Sequence, residues 1–301
     1  MTHMDRRASL KTLLITAGAL ASGGLTACSA AAPVRSRDHA FNAAVQTIEQ
    51  ATGGRLGVAV LDTRNGAFFG YRADERFPLC STFKMAAAAL VLHRVDAGLE
   101  QLDRPVRFGV ADQVAYGPVT EPKLPDGQLS VGELCGAIVT VSDNTAANLL
   151  LRSFGGPVAL TAWLRSIGDP TTRLDRTEPT LNTAIPGDLR DTTTPRAMAT
   201  TLRRIALGEV LAPASRQQLL GWMQASTTGD KKIKAGLPAG WRVAGKTGAG
   251  ANGTSNDIAV LWPPSGAPLV VSAYLTETTA TGDQKDKALA GVGALAASLR
   301  G

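Results

Sequence analysis

Short apolar runs bounded by turn residues occur near both ends of the chain, and this pattern is typical of β-strands. The predicted strands cover residues 56–61, 67–71, 242–246, 257–262 and 269–275. Apolar residues at helical spacing in 41–50 and 285–299 predict a helix before the first strand and another after the last. Both ends of the chain therefore predict mixed α and β structure.

The middle of the chain, from about residue 72 to 224, alternates helical patterns with long loops. Residues 81–97 are apolar on nearly every side, as expected of a helix buried at the centre of a domain. Ser130 with Glu133 forms a capping box, and Thr194 precedes Pro195 at a helix start. The other helix candidates are 131–139, 146–154, 157–167, 195–206 and 212–224.

These elements predict an α/β (α+β) fold in which both chain ends build one antiparallel β-sheet flanked by helices. We assign 39–73 and 224–301 to this α/β domain and 74–223 to an inserted all-α domain. The length of 301 residues and a hydrophobic content of 44% are sufficient for such cores. The natural place for a ligand site is the cleft between the two domains.

The first residues have the composition of an export signal. Arg6, Arg7 and Lys11 precede a short apolar stretch that ends in Leu-Thr-Ala-Cys28. The stretch is too short and too rich in glycine to span a membrane. Leu-Thr-Ala-Cys resembles the bacterial lipobox, in which the cysteine becomes a lipidated N-terminus, and the paired arginines resemble a twin-arginine signal. We predict an export signal at 1–27, a tether at 28–38 and a protein outside the cytoplasm, either anchored through Cys28 or free.

Charge and cysteine usage limit the other partners. The formal net charge is +6, but no run of Lys or Arg resembles a nucleic-acid footprint. Cys80 and Cys135 have the separation to form a disulfide, yet both sit among apolar residues, where a free buried thiol is the usual state. No Cys/His cluster has zinc spacing. We expect free thiols, no metal, no cofactor, no nucleic acid and a monomer.

Three short motifs carry candidate chemistry. Ser81-Thr-Phe-Lys84 opens the apolar helix and places a hydroxyl and an amine on one helix face. Ser142-Asp143-Asn144 precedes another helix, where Ser, Asp and Asn are also common capping residues. Lys246-Thr247-Gly248 lies at the end of the predicted strand 242–246, and a ligand can lie along such a strand edge. Each motif alone is weak.

The order and spacing of the three motifs resemble the penicillin-recognising serine enzymes, which include class A β-lactamases and penicillin-binding proteins. The segment Arg173-Leu-Asp-Arg176-Thr-Glu178-Pro179-Thr-Leu-Asn182 resembles the Ω-loop of class A β-lactamases, which penicillin-binding proteins lack. The resemblance extends from about residue 41 to 299. It implies a secreted enzyme that hydrolyses penicillins and cephalosporins and gives antibiotic resistance.

The resemblance also implies a role for each site residue. Ser81 is the nucleophile, with either Lys84 or Glu178 and a water as its base. Ser142 passes a proton to the ring nitrogen, and Glu178 with Asn182 holds the deacylating water. The remaining implied roles are an oxyanion hole from the N–H groups of Ser81 and Ala249, and substrate contacts from Tyr116, Asn144, Lys246, Thr247, Gly248 and Lys232.

Further details of the Ω-loop and the substrate-binding region follow from the same resemblance. Arg176 pairs with Asp191 to pin the Ω-loop, and the bond between Glu178 and Pro179 is cis. Ser255 stands where some members carry an arginine for the substrate carboxylate, so Lys232 supplies that charge. Lysine is a point charge rather than a fork, which predicts weaker carboxylate binding.

Other readings predict different chemistry. A D,D-peptidase would acylate and release slowly, but the carboxylate of Glu178 argues against it. A lipid-anchored cell-wall binder would need a broken catalytic set. A Ser-His-Asp hydrolase has no suitable histidine, because His3 lies in the signal, His39 in the tether region and His93 on an apolar helix.

Overall fold

A computed structural model describes residues 34–124 and 127–300; the predicted export signal and Cys28 lie outside them. The nine strands are β1 (Arg55–Asp62), β2 (Phe68–Tyr71), β3 (Phe77–Pro78), β4 (Pro105–Arg107), β5 (Gln128–Ser130), β6 (Thr192–Thr193), β7 (Arg242–Ala249), β8 (Ser255–Trp262) and β9 (Leu269–Thr276) in these ranges. The eight α-helices there are α1 (Val34–Thr52), α2 (Phe83–Asp96), α3 (Val131–Thr140), α4 (Asn144–Ser153), α5 (Gly156–Ser166), α6 (Pro195–Leu207), α7 (Pro213–Gln224) and α8 (Gly282–Ser298).

Five strands from the two ends of the chain form one antiparallel sheet in the order β2-β1-β9-β8-β7. Every residue of the central strand β9 is buried. One face of the sheet packs against α1 and α8, and the other packs against α6 and the helical core. Two covered faces explain why the strands are continuous apolar runs rather than alternating ones. The predicted fold class is confirmed.

Helix α2 lies in the middle of the helical core. Its residues from Phe83 to Leu92 are all buried, including Lys84. The one-turn helix Cys80–Thr82 leads directly into it, so Ser81 stands at the start of a continuous helical segment. The prediction of a central buried helix is confirmed.

Most predicted helix bounds are close to the observed ones. The predicted caps form at Ser130, which accepts from Glu133 N, and at Thr194, which accepts from Ala197 N. Helix α1 begins at Val34, so residues 34–38 of the predicted tether are helical. In the described part of the chain, no helix has the length and apolarity required to cross a membrane.

One strand boundary was wrong in a way that matters for the site. Strand β7 was predicted to end at Lys246, the first residue of the Lys246-Thr247-Gly248 motif, but it runs through to Ala249. The motif stays in register with β8, where Lys246 pairs with Ile258 and Ala249 pairs with Ser255. Lys246 is therefore held inside an edge strand rather than in a loop.

Candidate active site

A cavity of about 390 Å³ opens where the edge of the sheet, the start of α2 and the Ω-loop meet. Its walls come from residues far apart in sequence. They are Ser81, Tyr116, Ser142, Asn144, Asn182, Thr228, Lys232, Thr247, Gly248 and Ala249. All of these except Thr228 are predicted site residues. The three motifs and the Ω-loop thus converge on one pocket.

The hydroxyl of Ser81 lies at the base of the pocket, at the end of the helical segment that becomes α2. Ser81 is 8% exposed, and its Oγ donates to Glu178 Oε1 at 3.3 Å. The residue before it, Cys80, has a left-handed backbone with φ 43°. This bend at the start of the helical segment presents the serine to the cavity, where a carboxylate can accept its proton.

Lys84 is fully buried one turn further along, with its ammonium group surrounded by acceptors. Its Nζ lies 2.9 Å from Glu178 Oε1, and it donates to Asn144 Oδ1 at 2.6 Å. It also donates to the backbone oxygen of Ser142 at 2.8 Å. Burial lowers the pKa of Lys84 from its ordinary value, and the Glu178 carboxylate opposes part of that shift. The amine and the serine therefore share one carboxylate oxygen.

Ser142 lies in the loop between α3 and α4 with a left-handed backbone, φ 64°. Its Oγ accepts from Lys84 Nζ at 3.3 Å and from Lys246 Nζ at 3.0 Å. A hydroxyl oxygen has two lone pairs and one proton. With both lone pairs facing ammonium groups, the proton of Ser142 is left to point into the pocket.

Lys246 is completely buried and reaches Ser142 from strand β7. It also donates to the backbone oxygen of Thr247 at 2.8 Å. Burial, reinforced by the neighbouring charge of Lys84, holds the pKa of Lys246 well below its ordinary value. Lys246 therefore lies behind the residues that line the cavity and contributes its charge through them, whereas Thr247 lines the cavity itself.

Glu178 is 3% exposed and follows the bend of the Ω-loop, where its bond to Pro179 is cis. Asn182 Nδ2 donates to Glu178 Oε2. The side chain of Asn148 holds the backbone of Glu178 on both sides: its Oδ1 accepts from Glu178 N and its Nδ2 donates to Glu178 O, each at 2.9 Å. Asn148 was not predicted from the sequence, although it lies four residues after Asn144, on the same face of α4.

The Ω-loop is closed by the predicted partners. Arg176 Nε lies 2.5 Å from Asp191 Oδ2, while the backbone N–H groups of Asp175 and Arg176 donate to Asp191 Oδ1. Asp191 is buried, so this carboxylate is satisfied within the loop. The two ends of the segment that carries Glu178 are thereby fixed to each other.

Backbone amides near Ser81 face the same space. Gly250 N donates across to Thr254 O at 3.2 Å, and N–H groups alternate in direction along a strand. The N–H of Ala249 therefore points to the open edge of β7. A Cβ built on Gly248 would lie 3.2 Å from the backbone nitrogen of Ser81, so the strand passes directly against the nucleophile. These two amides fit the predicted oxyanion hole.

The comparisons with known proteins agree with this geometry. The model of the β-lactamase enzyme family matches residues 40–299. The chain is 46% identical to β-lactamase OXY-2 of Klebsiella oxytoca over 90% of each protein, and 48% identical to CTX-M-8 of Citrobacter amalonaticus over 86% of this chain and 89% of that protein. An ancestral class A β-lactamase structure superposes with a TM-score of 0.85 at 59% identity, covering 86% of this chain and 99% of the other.

The chain belongs to the β-lactamase enzyme family, in class A. A further class A structure, the putative PenP of Rhodopseudomonas palustris, is 56% identical with a TM-score of 0.85 over 86% of this chain and 99% of that chain. Family and fold therefore agree with the resemblance seen in the sequence. The β-lactamase is a serine hydrolase.

Lys232 reaches the cavity of this β-lactamase from the loop before β7. Its Nζ lies 2.5 Å from Asp286 Oδ1 on α8 and donates to Ser255 Oγ at 2.8 Å. Lys232 is thus next to Ser255, the position at which the resemblance implies an arginine in some members. The pairing with Asp286 was not foreseen, since no local pattern links the first turns of α8 to this loop.

Tyr116 stands at the rim of the cavity, 58% exposed, with a left-handed backbone of φ 69°. Asn144 Nδ2 donates to the neighbouring backbone oxygen of Ala115 at 2.8 Å, so the rim is tied to the lysine that Asn144 also contacts. Thr228 was missed by sequence reasoning: its Oγ1 accepts from Thr247 Oγ1 at 2.7 Å. A hydroxyl in a polar loop gives no sequence signal of its own.

The remaining candidates that the sequence offered are one histidine, which lies away from this centre, and two buried cysteines, of which Cys80 directly precedes Ser81. His93 packs against Trp163, with ring centroids 5.9 Å apart, and its Nδ1 is 3.2 Å from Val210 O. Cys80 and Cys135 are free and buried, as predicted, and burial raises the pKa of both thiols. Within 34–124 and 127–300, no group of three or more His, Cys, Asp or Glu is placed to hold a metal ion.

Proposed function

We propose that this class A β-lactamase opens penicillins and cephalosporins by forming an acyl-enzyme on Ser81 and hydrolysing it with Glu178. The observation that carries the proposal is the position of one buried carboxylate. Glu178 Oε1 is within reach of both the Ser81 hydroxyl and the Lys84 amine, while Oε2 is held by Asn182. Such a group can accept a proton in each half of the reaction.

Substrate binding depends on the positive wall of the cavity. The carboxylate of the β-lactam lies against the hydroxyl of Thr247, in the field of the buried Lys246 and near the ammonium group of Lys232. In a partly enclosed site, these charges act more strongly on an anion than they would in water. Tyr116 borders the same opening and covers the side chain of the substrate.

In acylation, Ser81 Oγ bonds to the carbonyl carbon of the ring and gives up its proton. Glu178 is in direct contact with that hydroxyl and can accept the proton as a carboxylate. Lys84 lies on the same carboxylate oxygen and can accept the proton only in its neutral form, which the lowered pKa of this buried amine makes more accessible. The N–H groups of Ser81 and Ala249 receive the negative charge that develops on the carbonyl oxygen. One such donor is worth about 3–4 kcal/mol of transition-state stabilisation.

The carbon–nitrogen bond of the ring then breaks, and the nitrogen needs a proton. Ser142 supplies it, because its oxygen is occupied by two lysines and its proton points into the cavity. Lys84 or Lys246 can replace the proton that Ser142 gives up. The low pKa of each buried ammonium group makes that transfer easier.

In deacylation, Glu178 takes a proton from a water that attacks the ester carbon, which frees the opened product and Ser81. Asn182 supports this step from the side. Its Oδ1 is buried and has no hydrogen-bond partner in the described ranges, and such an acceptor suits a water held beside the carboxylate.

Hydrolysis of β-lactams outside the cytoplasm would protect the cell that makes the enzyme. We propose export through the signal at 1–27 and lipid attachment at Cys28. The support is the basic, apolar and small-residue pattern of the first 28 residues. Metabolic labelling with a fatty acid and a Cys28→Ser control measures this: label on the wild type alone supports attachment, and label on neither contradicts it.

The assay of the function uses Ser81→Ala and a chromogenic cephalosporin. We expect the wild type to hydrolyse many equivalents and the variant to lose at least 10³-fold in kcat, on the order of what removal of a nucleophile costs. A single burst of product without turnover in the wild type would instead indicate a D,D-peptidase. Undiminished hydrolysis by the variant would remove the assignment of the nucleophile.

A further inference from the structure

The turn that joins β7 to β8 has the sequence Asn252-Gly253, and both residues have left-handed backbones, with φ 53° and 70°. Asn-Gly is the preferred pair for such a hairpin turn. Thr254 N donates back to Ala251 O at 3.1 Å, which closes the turn. The backbone of Asn252 is thus fully explained by the hairpin. The side chain of Asn252 needs a separate explanation, because its hydrogen bonds go to residues outside the hairpin.

The side chain of Asn252 reaches across to the Ω-loop. Its Nδ2 donates to Ala184 O at 2.8 Å and to Thr183 O at 3.2 Å. The neighbouring Ala251 N donates to Asn182 O at 2.9 Å. Three successive backbone oxygens of the Ω-loop, from 182 to 184, therefore accept hydrogen bonds from this one turn. They lie at the C-terminal end of the one-turn helix Thr180–Thr183, where Ala184 is the capping residue. Carbonyl groups at a helix end have no partner within the helix and need donors from outside.

The same contact leads directly to the catalytic carboxylate. Asn182, whose backbone oxygen the turn holds, donates with its own side chain to Glu178. The two segments are also packed tightly, since a Cβ built on Gly250 would lie 2.7 Å from Asn182 O. Movement of the turn away from the loop would therefore move Asn182, and with it the water-binding side of Glu178.

We propose that Asn252 is a positioning residue that latches the Ω-loop to the β7–β8 turn and so keeps Glu178 and Asn182 aligned for deacylation. This inference rests on the proposed role of Glu178. The latch is defined by Asn252 and the backbone oxygens of Thr183 and Ala184. It touches no substrate, so it acts through the loop alone, and loss of the latch slows the hydrolysis of the acyl-enzyme.

Two substitutions remove the latch without disturbing the hairpin, because Gly and Asp both tolerate left-handed backbone. Asn252→Gly deletes the donor, and Asn252→Asp replaces it with a charge that faces carbonyl oxygens. The matched control is Asn65→Asp. Asn65 also precedes a glycine in a hairpin turn, between β1 and β2, and the strand register places that turn at the opposite end of the sheet.

The measurement combines steady-state kinetics on benzylpenicillin with intact-protein mass spectrometry during turnover. We expect both Asn252 variants to lose about 5- to 30-fold in kcat, the factor that corresponds to one or two hydrogen bonds. KM should fall with kcat, and the penicilloyl adduct on Ser81 should become visible. A partly unfolded enzyme would instead lower kcat alone. Asn65→Asp should match the wild type.

The inference is overturned if both Asn252 variants keep wild-type kcat, or if kcat falls with KM unchanged and no adduct. Glu178→Asn, measured alongside, distinguishes an error in the latch from an error in the role of Glu178. If Glu178→Asn accumulates the adduct while the Asn252 variants behave as wild type, only the latch is wrong. If Glu178→Asn accumulates no adduct and still turns over penicillin, the role of Glu178 itself is wrong.

Discussion

The buried carboxyl group of Asp257 makes the stability of this enzyme depend on pH. Asp257 lies on β8, opposite Thr247, and its Oδ2 accepts from Ile233 N at 3.2 Å. Burial raises the pKa of Asp257 from an ordinary value of 3.8 to about 7, although the charges of Lys232 and Lys246 oppose the shift. The folded protein therefore holds this proton across a range in which the unfolded chain has already lost it.

The sign and size of the effect follow from that difference. Because the folded pKa is raised, the contribution to stability is present at low pH and is lost as pH rises toward 7. At pH 5 the unfolded chain has already lost this proton, whereas the folded protein keeps it until about pH 7. The two states therefore differ by one proton over about two pH units between pH 5 and pH 8. At about 1.4 kcal/mol per unit, Asp257 costs about 2–3 kcal/mol of stability over this interval.

Asp257→Asn removes the titration and keeps an oxygen that can accept from Ile233. Urea unfolding of the wild type and the variant at pH 5 and pH 8 gives the difference in free energy of unfolding at each pH. We expect the variant to gain about 2–3 kcal/mol relative to the wild type on going from pH 5 to pH 8. An equal difference at the two pH values would mean that Asp257 is ionised throughout, which would contradict a raised pKa.

Two other substitutions test residues that sequence reasoning missed. Asn148→Ala leaves the backbone N–H and oxygen of Glu178 without their partners. We therefore expect a loss of about 1–3 kcal/mol in the free energy of unfolding and a lower kcat. An unchanged urea midpoint would contradict this. Thr228→Val removes the oxygen that accepts from Thr247 Oγ1, so the hydroxyl that meets the substrate carboxylate loses the partner that orients it. KM for penicillin should rise about 2- to 10-fold at nearly constant kcat and recover in Thr228→Ser, whereas a fall in kcat alone would argue against it.

The parts of the site that the sequence made predictable are those with local rules. A spacing of three residues from Ser81 to Lys84 places both on one helical turn, and the Ω-loop segment carries Glu178, Asn182 and Arg176 together. The buried helix α2 was equally clear, because residues from Met85 to Leu92 are apolar on all sides.

The parts that were missed depend on distant segments meeting in space. Asn148 and Thr228 have ordinary polar side chains whose roles come from what packs beside them. The pairing of Lys232 with Asp286 joins positions 54 residues apart on different elements. The extent of β7 was misjudged for the same reason, since its last residues are held by pairing with β8 rather than by their own propensity.

In the mechanism proposed above, the Glu178 carboxylate activates the water that hydrolyses the ester formed on Ser81. The most direct test is to mix Glu178→Asn with benzylpenicillin and follow the intact mass of the protein over time. We expect a stable penicilloyl adduct on Ser81 with little free product. Continued turnover with no adduct on Ser81 would contradict it.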